Sequence, residues 1–282
     1  MRRAGPVAPF VFLGAVGFSF AVLDLAFGTG LRIPLLGGTM FDGVRFYGLP
    51  NAFIGLVLAG AVFLAVALSP GQGFALLMAA GVVVGYPSLG ADIGGAVTLF
   101  AAAAVWWALV VRRGSRSRPR DAAIAVGIVV AGTLGVLLAN RYLAVTPTHA
   151  TRFVEGGGLS PADVVRREVD RLAVGFRMIR RIPAGWIPVL GTPVLLGFAI
   201  MRPTPFGQGF EAVDRNWREA MIALTTAGAA SVLANDTFVA AVGLTFLYAL
   251  AGMAYPALLA PGGDRRPIRP AVGRRREMER RR

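Results

Sequence analysis

The chain has no cysteine, no lysine and a single histidine, and only 16% of its 282 residues are charged. Without cysteine, neither a disulfide nor a thiolate metal site can form. One histidine and scattered carboxylates do not make a zinc site, so no metal centre is predicted. A soluble domain of this length needs more charge to cover its surface. The shortage of charge therefore argues against a water-soluble fold. No GKS or GKT follows the glycine-rich string GADIGG, so it is not a phosphate loop. No cofactor is identifiable from any other string.

What the chain does have is long apolar stretches separated by blocks of arginine. Hydrophobic residues make up 55% of it, and the formal net charge is +14. Such basicity can signal nucleic-acid binding. Here the arginines flank apolar runs and no aromatic-basic module is visible, so no nucleic-acid partner is expected. About 20 apolar residues cross a bilayer as a helix. The sequence predicts an all-α, polytopic membrane bundle of eight spans at 7–27, 50–68, 73–86, 93–111, 122–143, 182–201, 219–234 and 238–258. The sixth contains Pro183, Pro188 and Pro193 and is expected to kink or re-enter. Residues 1–260 then form one membrane domain, and 261–282 an Arg-rich, disordered tail.

Arginine placement sets the orientation. The loop with Arg112, Arg113, Arg116, Arg118 and Arg120, the tail with nine Arg from Arg265 to Arg282, and Arg2 with Arg3 all belong on the cytoplasmic side. An even number of spans satisfies all three, with both termini inside a plasma membrane. The tail is also suited to anionic lipid headgroups. Residues 160–181 read as an amphipathic helix with Pro161 at its first position. Val165, Val169, Leu172, Phe176 and Ile179 form its apolar stripe. The eight-span count places it outside, although it is net basic. Gly81 with Gly85, and Gly90 with Gly94, read as close-packing pairs.

This topology gathers polar residues on the extracytoplasmic side. Arg45, Tyr47 and Asn51 lie before and at the second span, Asp92 before the fourth, and Asn140 and Arg141 end the fifth. His149 and Arg152 follow, and Asn235 and Asp236 join the last two spans. Ionisable groups near hydrocarbon are costly and point to function. Arg45 and Arg152, with Tyr47, Asn51 and Asn235, are candidates to bind a phosphate or carboxylate, since guanidinium offers a planar fork of donors. His149, Asp92 and Asp236 are the candidate acid–base groups. Each has a plainer reading: Asp92 and Asp236 as helix caps, Arg45 and Tyr47 as interfacial anchors, and His149 as a loop residue.

The string FDGVRFYGLPN resembles the RFYGxGN loop of a family of uncharacterised multi-pass bacterial membrane proteins, best represented in actinobacteria and firmicutes. Its GADxGG turn, THxGRF segment and NDSG turn have counterparts here in the same order: Gly90-Ala91-Asp92 with Gly94-Gly95, Thr148-His149 with Arg152-Phe153, and Asn235-Asp236. Pro50, Thr151 and Thr237-Phe238 depart from the pattern. The resemblance implies a shared outer site and supplies no reaction. Some members join this region to an extracytoplasmic domain resembling alkaline phosphatases, and no outer loop here is long enough to hold one. The expectation is an extracytoplasmic site that takes an anionic lipid-linked or headgroup substrate. The alternatives are a structural subunit anchoring a separate envelope enzyme, or a transporter. Whether the chain is an enzyme stays open at this level.

Overall fold

The computed structural model describes residues 5–27, 49, 51–115, 117–144, 161–181, 183–201, 209–210, 213–235 and 238–259. Within them the protein is all-α, with no strand. The helices are α1 (Ala8–Phe27), α2 (Asn51–Ala67), α3 (Pro70–Gly85), α4 (Ile93–Trp106), α5 (Arg118–Leu143), α6 (Pro161–Arg181), α7 (Trp186–Met201), α8 (Trp217–Ala234) and α9 (Phe238–Leu259). A π-helical turn, Trp107–Val111, extends α4, and a 3-10 turn, Pro183–Gly185, precedes α7.

Apart from α6, these helices pack side by side with alternating direction. At one end, the Phe10 ring near the start of α1 lies 5.1 Å from the rings of Phe63, Trp217 and Tyr255. Those residues sit towards the end of α2, at the start of α8 and towards the end of α9. At the same end Trp106 of α4 donates its indole N–H to the Pro70 carbonyl of α3 (3.0 Å). Arg218 of α8 there reaches the Ala199 carbonyl of α7. The basic loop after α4 joins this end too, because Arg113 pairs with Glu219. We call it the basic end. The opposite end carries Asp92 and Asn235.

Among the described residues, three helical segments are long and apolar enough to cross a membrane: Ile93–Val111, Arg118–Leu143 and Pro183–Met201. The apolar stretches Ala8–Leu23, Phe53–Ala67, Pro70–Gly85 and Ala241–Pro256 are shorter, at 10–17 residues. Length and composition thus support fewer crossings than the eight read from the sequence. Position in the bundle explains part of the gap. α8 is central, and its buried face meets α2, α4, α7 and α9. Such a helix tolerates small and polar residues, and α8 buries Thr225, Gly228 and Ser231. α5 is the opposite case: it packs mainly against α4 and exposes Val126, Val130, Leu134 and Leu138.

Other expectations shift in detail. α3 starts at Pro70, where Gln72 Oε1 accepts from both the backbone N–H and the hydroxyl of Ser69. α5 begins at Arg118, inside the expected basic loop. The proline-rich sixth stretch forms a 3-10 turn at Pro183, then a helix with Pro188 in its first turn and Pro193 inside it. Gly81 and Gly85 do admit close neighbours, since a β-carbon there would meet Phe100 and Val136 respectively. Gly90 and Gly94 do not form a helical packing pair: Gly90 lies in the turn before α4.

Candidate functional site

The end of α3 shows why the GADIGG string is built as it is. A helix C-terminus leaves four carbonyls without helical partners. Here all four are satisfied. Val82 O accepts from Tyr86 N–H (2.8 Å), Val83 O from Gly90 N–H (3.2 Å) and Val84 O from Asp92 N–H (2.9 Å). The fourth, Gly85 O, accepts from Asn140 Nδ2 of α5 at 2.9 Å. The chain therefore folds back tightly over the helix end. Gly90 passes so close to Val84 that a β-carbon would overlap the Val84 carbonyl. Ala91 takes a left-handed backbone, φ 49°, which is uncommon without glycine.

This fold-back delivers Asp92 to the start of α4. Asp92 is 1% exposed, and its Oδ1 accepts from Gly95 N–H at 3.1 Å, so the side chain caps the helix. Gly95 packs against Ile54, one turn into α2, with no room for a β-carbon. Leu49 N–H donates to Gly90 O (2.9 Å), tying the stretch before α2 to the same turn. Gly94 lies against the Ala234 carbonyl and Asn235 Oδ1 at the end of α8. Asn235 is 1% exposed and donates from Nδ2 to Thr98 Oγ1 of α4 (3.3 Å).

Three of the sequence-selected positions thus converge. Asp92, Asn235 and the backbone of Asn51 at the head of α2 meet at one end of the bundle. Arg45, Tyr47, His149, Arg152 and Asp236 lie outside the described residues, as do the Asn51 side chain and the tail at 261–282. Asn140 was visible in sequence only as a polar residue closing an apolar stretch. It is a buried brace, since Nδ2 also donates to Val136 O (2.9 Å). Its signal was an amide directly after a long apolar run, where an unmet hydrogen bond would be costly.

A second polar assembly lies at the basic end, and sequence reasoning treated it as topology alone. Arg112 pairs with Asp121 (3.4 Å) and Arg113 with Glu219 (3.1 Å), and Arg113 Nη2 also donates to the Arg215 carbonyl. Arg218 donates to the carbonyls of Ala199 and Ile200 at 2.8 and 3.1 Å, closing the end of α7. Trp217 is fully buried and donates to Gly252 O of α9 (2.8 Å). These bonds clasp the start of α8 on three sides.

Between the two ends, four buried hydroxyls bond back to their own helices, whereas Thr133 Oγ1 of α5 is buried without a partner among the described residues. Thr98 donates to Gly94 O, Thr192 to Pro188 O, Thr225 to Met221 O and Thr245 to Ala241 O, all at 2.7–3.0 Å. Such local bonding satisfies a hydroxyl without water. Among the described residues, no group of three or more His, Cys, Asp or Glu is placed to hold a metal ion. Comparison with family models, with curated proteins and with solved structures gives no match for this chain.

Proposed function

We propose that the chain is a multi-pass protein of the cell membrane whose extracytoplasmic end binds an anionic lipid-linked or headgroup substrate. The observation that carries this is the meeting of Leu49, the Asn51 backbone, Gly90–Asp92, Asn140 and Asn235 around one tightly bonded turn. These stretches are far apart in sequence, yet they build one hydrogen-bonded floor. The resemblance to the RFYGxGN family adds Arg45, Tyr47, His149, Arg152 and Asp236 to the same face. In this reading, arginine forks hold the anion and His149 with Asp236 supplies proton transfer. Asp92 and Asn235 fix the floor from beneath.

The eight apolar helices each cross the bilayer in this proposal, with both termini and the Arg112–Arg120 loop in the cytoplasm. Alternating helix direction and the position of Arg113 beside the start of α8, where Trp217 also meets Phe10 of α1, support it. A transporter is less favoured, because the hydroxyls of Thr192, Thr225 and Thr245 bond within their own helices. The test is complementation of a deletion strain. Arg45→Ala and Arg152→Ala should insert at wild-type levels and fail to restore the phenotype. Full complementation by both variants would remove the site.

A further inference from the structure

α6 offers a surface that the bundle leaves uncovered. It leads through the Pro183–Gly185 turn into Trp186, so it lies at the Asp92 end. Its last turns anchor it: Ile179 and Gly175 are buried, and the Phe176 ring is 6.0 Å from that of Trp186. The start of its apolar stripe faces outward, with Val165 62% and Val169 58% exposed.

The arrangement of charge around this stripe is ordered. At about 100° per residue, the stripe residues Val165, Val169, Leu172, Phe176 and Ile179 span an arc of about 80°. Directly beside them, on one flank, come Arg180, Arg166 and Arg177, all exposed. Asp170 and Asp163 follow, further from the stripe. A helix lying flat with its stripe in acyl chains would therefore hold these three arginines at phosphate depth. The two aspartates would point up into water.

The geometry points to α6 as an interfacial helix that docks on the outer leaflet and gathers anionic phospholipid through Arg166, Arg177 and Arg180. Two observations favour a lipid surface over a protein partner. Arg166 borders the start of the apolar stripe and Arg177 and Arg180 its end, as a headgroup layer borders hydrocarbon. The last turns of the helix also meet partly exposed Trp186, at the end of the bundle where exposed Tyr142 lies; these residues start α7 and end α5, two helices apolar enough to span. Aromatic residues at such ends mark the membrane interface. The inference rests on the membrane placement proposed above and is independent of the substrate.

The absence of cysteine makes the test direct. Full-length Val169→Cys, Asp170→Cys and Val130→Cys are labelled with a polarity-sensitive fluorophore. Each is reconstituted in nanodiscs of phosphatidylcholine alone, or with phosphatidylglycerol added, with brominated acyl chains as quencher. The label at 169 should be blue-shifted and quenched by bromolipid, and the label at 170 should not. Bromine carried on phosphatidylglycerol should quench position 169 more than bromine on phosphatidylcholine. Replacing Arg166, Arg177 and Arg180 with Gln should lower that preference, by about fivefold per arginine at most. Equal quenching at 169 and 170 would overturn the inference, and so would a preference unchanged in the triple variant. A label at 169 that is shielded yet unquenched would mean that a second copy or another protein covers the face. Quenching at 130 without quenching at 169 would reject the docking alone, whereas no quenching at 130 would reject the membrane placement itself.

Discussion

Replacing Asp92 separates its capping role from chemistry. Its Oδ1 lies 3.1 Å from Gly95 N in a fully buried setting. Asp92→Ala removes that acceptor and leaves the Gly95 N–H with no replacement acceptor. Loss of an N-cap costs about 0.5–2 kcal/mol. An unmet buried donor costs about 1–3 kcal/mol. The two figures describe the same lost bond, so the expected total is about 2 kcal/mol. For a domain of this size that lowers the melting temperature by about 4–8 °C. Asp92→Asn keeps an oxygen in place and ranks with Asp as a cap, so it should melt within about 2 °C of wild type. Fluorescence-detected size exclusion after a heating series, in one detergent, reads both. If Asn and Ala destabilise equally, or if neither does, the capping argument is wrong. Complementation adds the second axis: Asp92→Asn that is stable yet inactive would show that the carboxylate is needed for more than the helix.

Asn140→Leu leaves the Gly85 carbonyl without its donor and should cost about 1–3 kcal/mol, read as a lower melting temperature. Two glycines should respond with opposite signs. Gly90→Ala forces a β-carbon into the Val84 carbonyl and should destabilise by about 1–3 kcal/mol. Gly127→Ala faces open space within α5 and should stabilise by about 0.4–1 kcal/mol. A double-mutant cycle of Arg113→Ala and Glu219→Gln should give a coupling of about 0.2–1 kcal/mol that shrinks in high salt, since Arg113 is partly exposed.

Helix positions were largely legible because apolar run length is a strong signal. The expected stretches at 93–111 and 238–258 agree with the observed helices to within a residue or two. Starts set by local chemistry were harder to read. Arg118 begins α5 because Pro119 suits a first turn, and Ser69 with Gln72 moves the start of α3 back to Pro70. Asp92 was legible both as a candidate acid–base group and as a cap. The cap is what its hydrogen bond displays. Asn140 was missed as a brace because its partner, the Gly85 carbonyl, is 55 residues away and belongs to the backbone. No side-chain pattern announces such a contact. The clasp at Arg113, Trp217 and Arg218 was hidden for a related reason. Arginines near span ends read first as topology signals, and the carbonyls that they close become visible only once the helices are placed.

The central claim is that the Asp92 end faces outward and the basic end faces the cytoplasm. Single-cysteine variants Ser88→Cys and Ser117→Cys, both at exposed positions on opposite ends, test it in intact cells. A membrane-impermeant maleimide should label position 88 at once and position 117 only after permeabilisation. Labelling of 117 in intact cells, with 88 protected, would invert the orientation and place the proposed site in the cytoplasm.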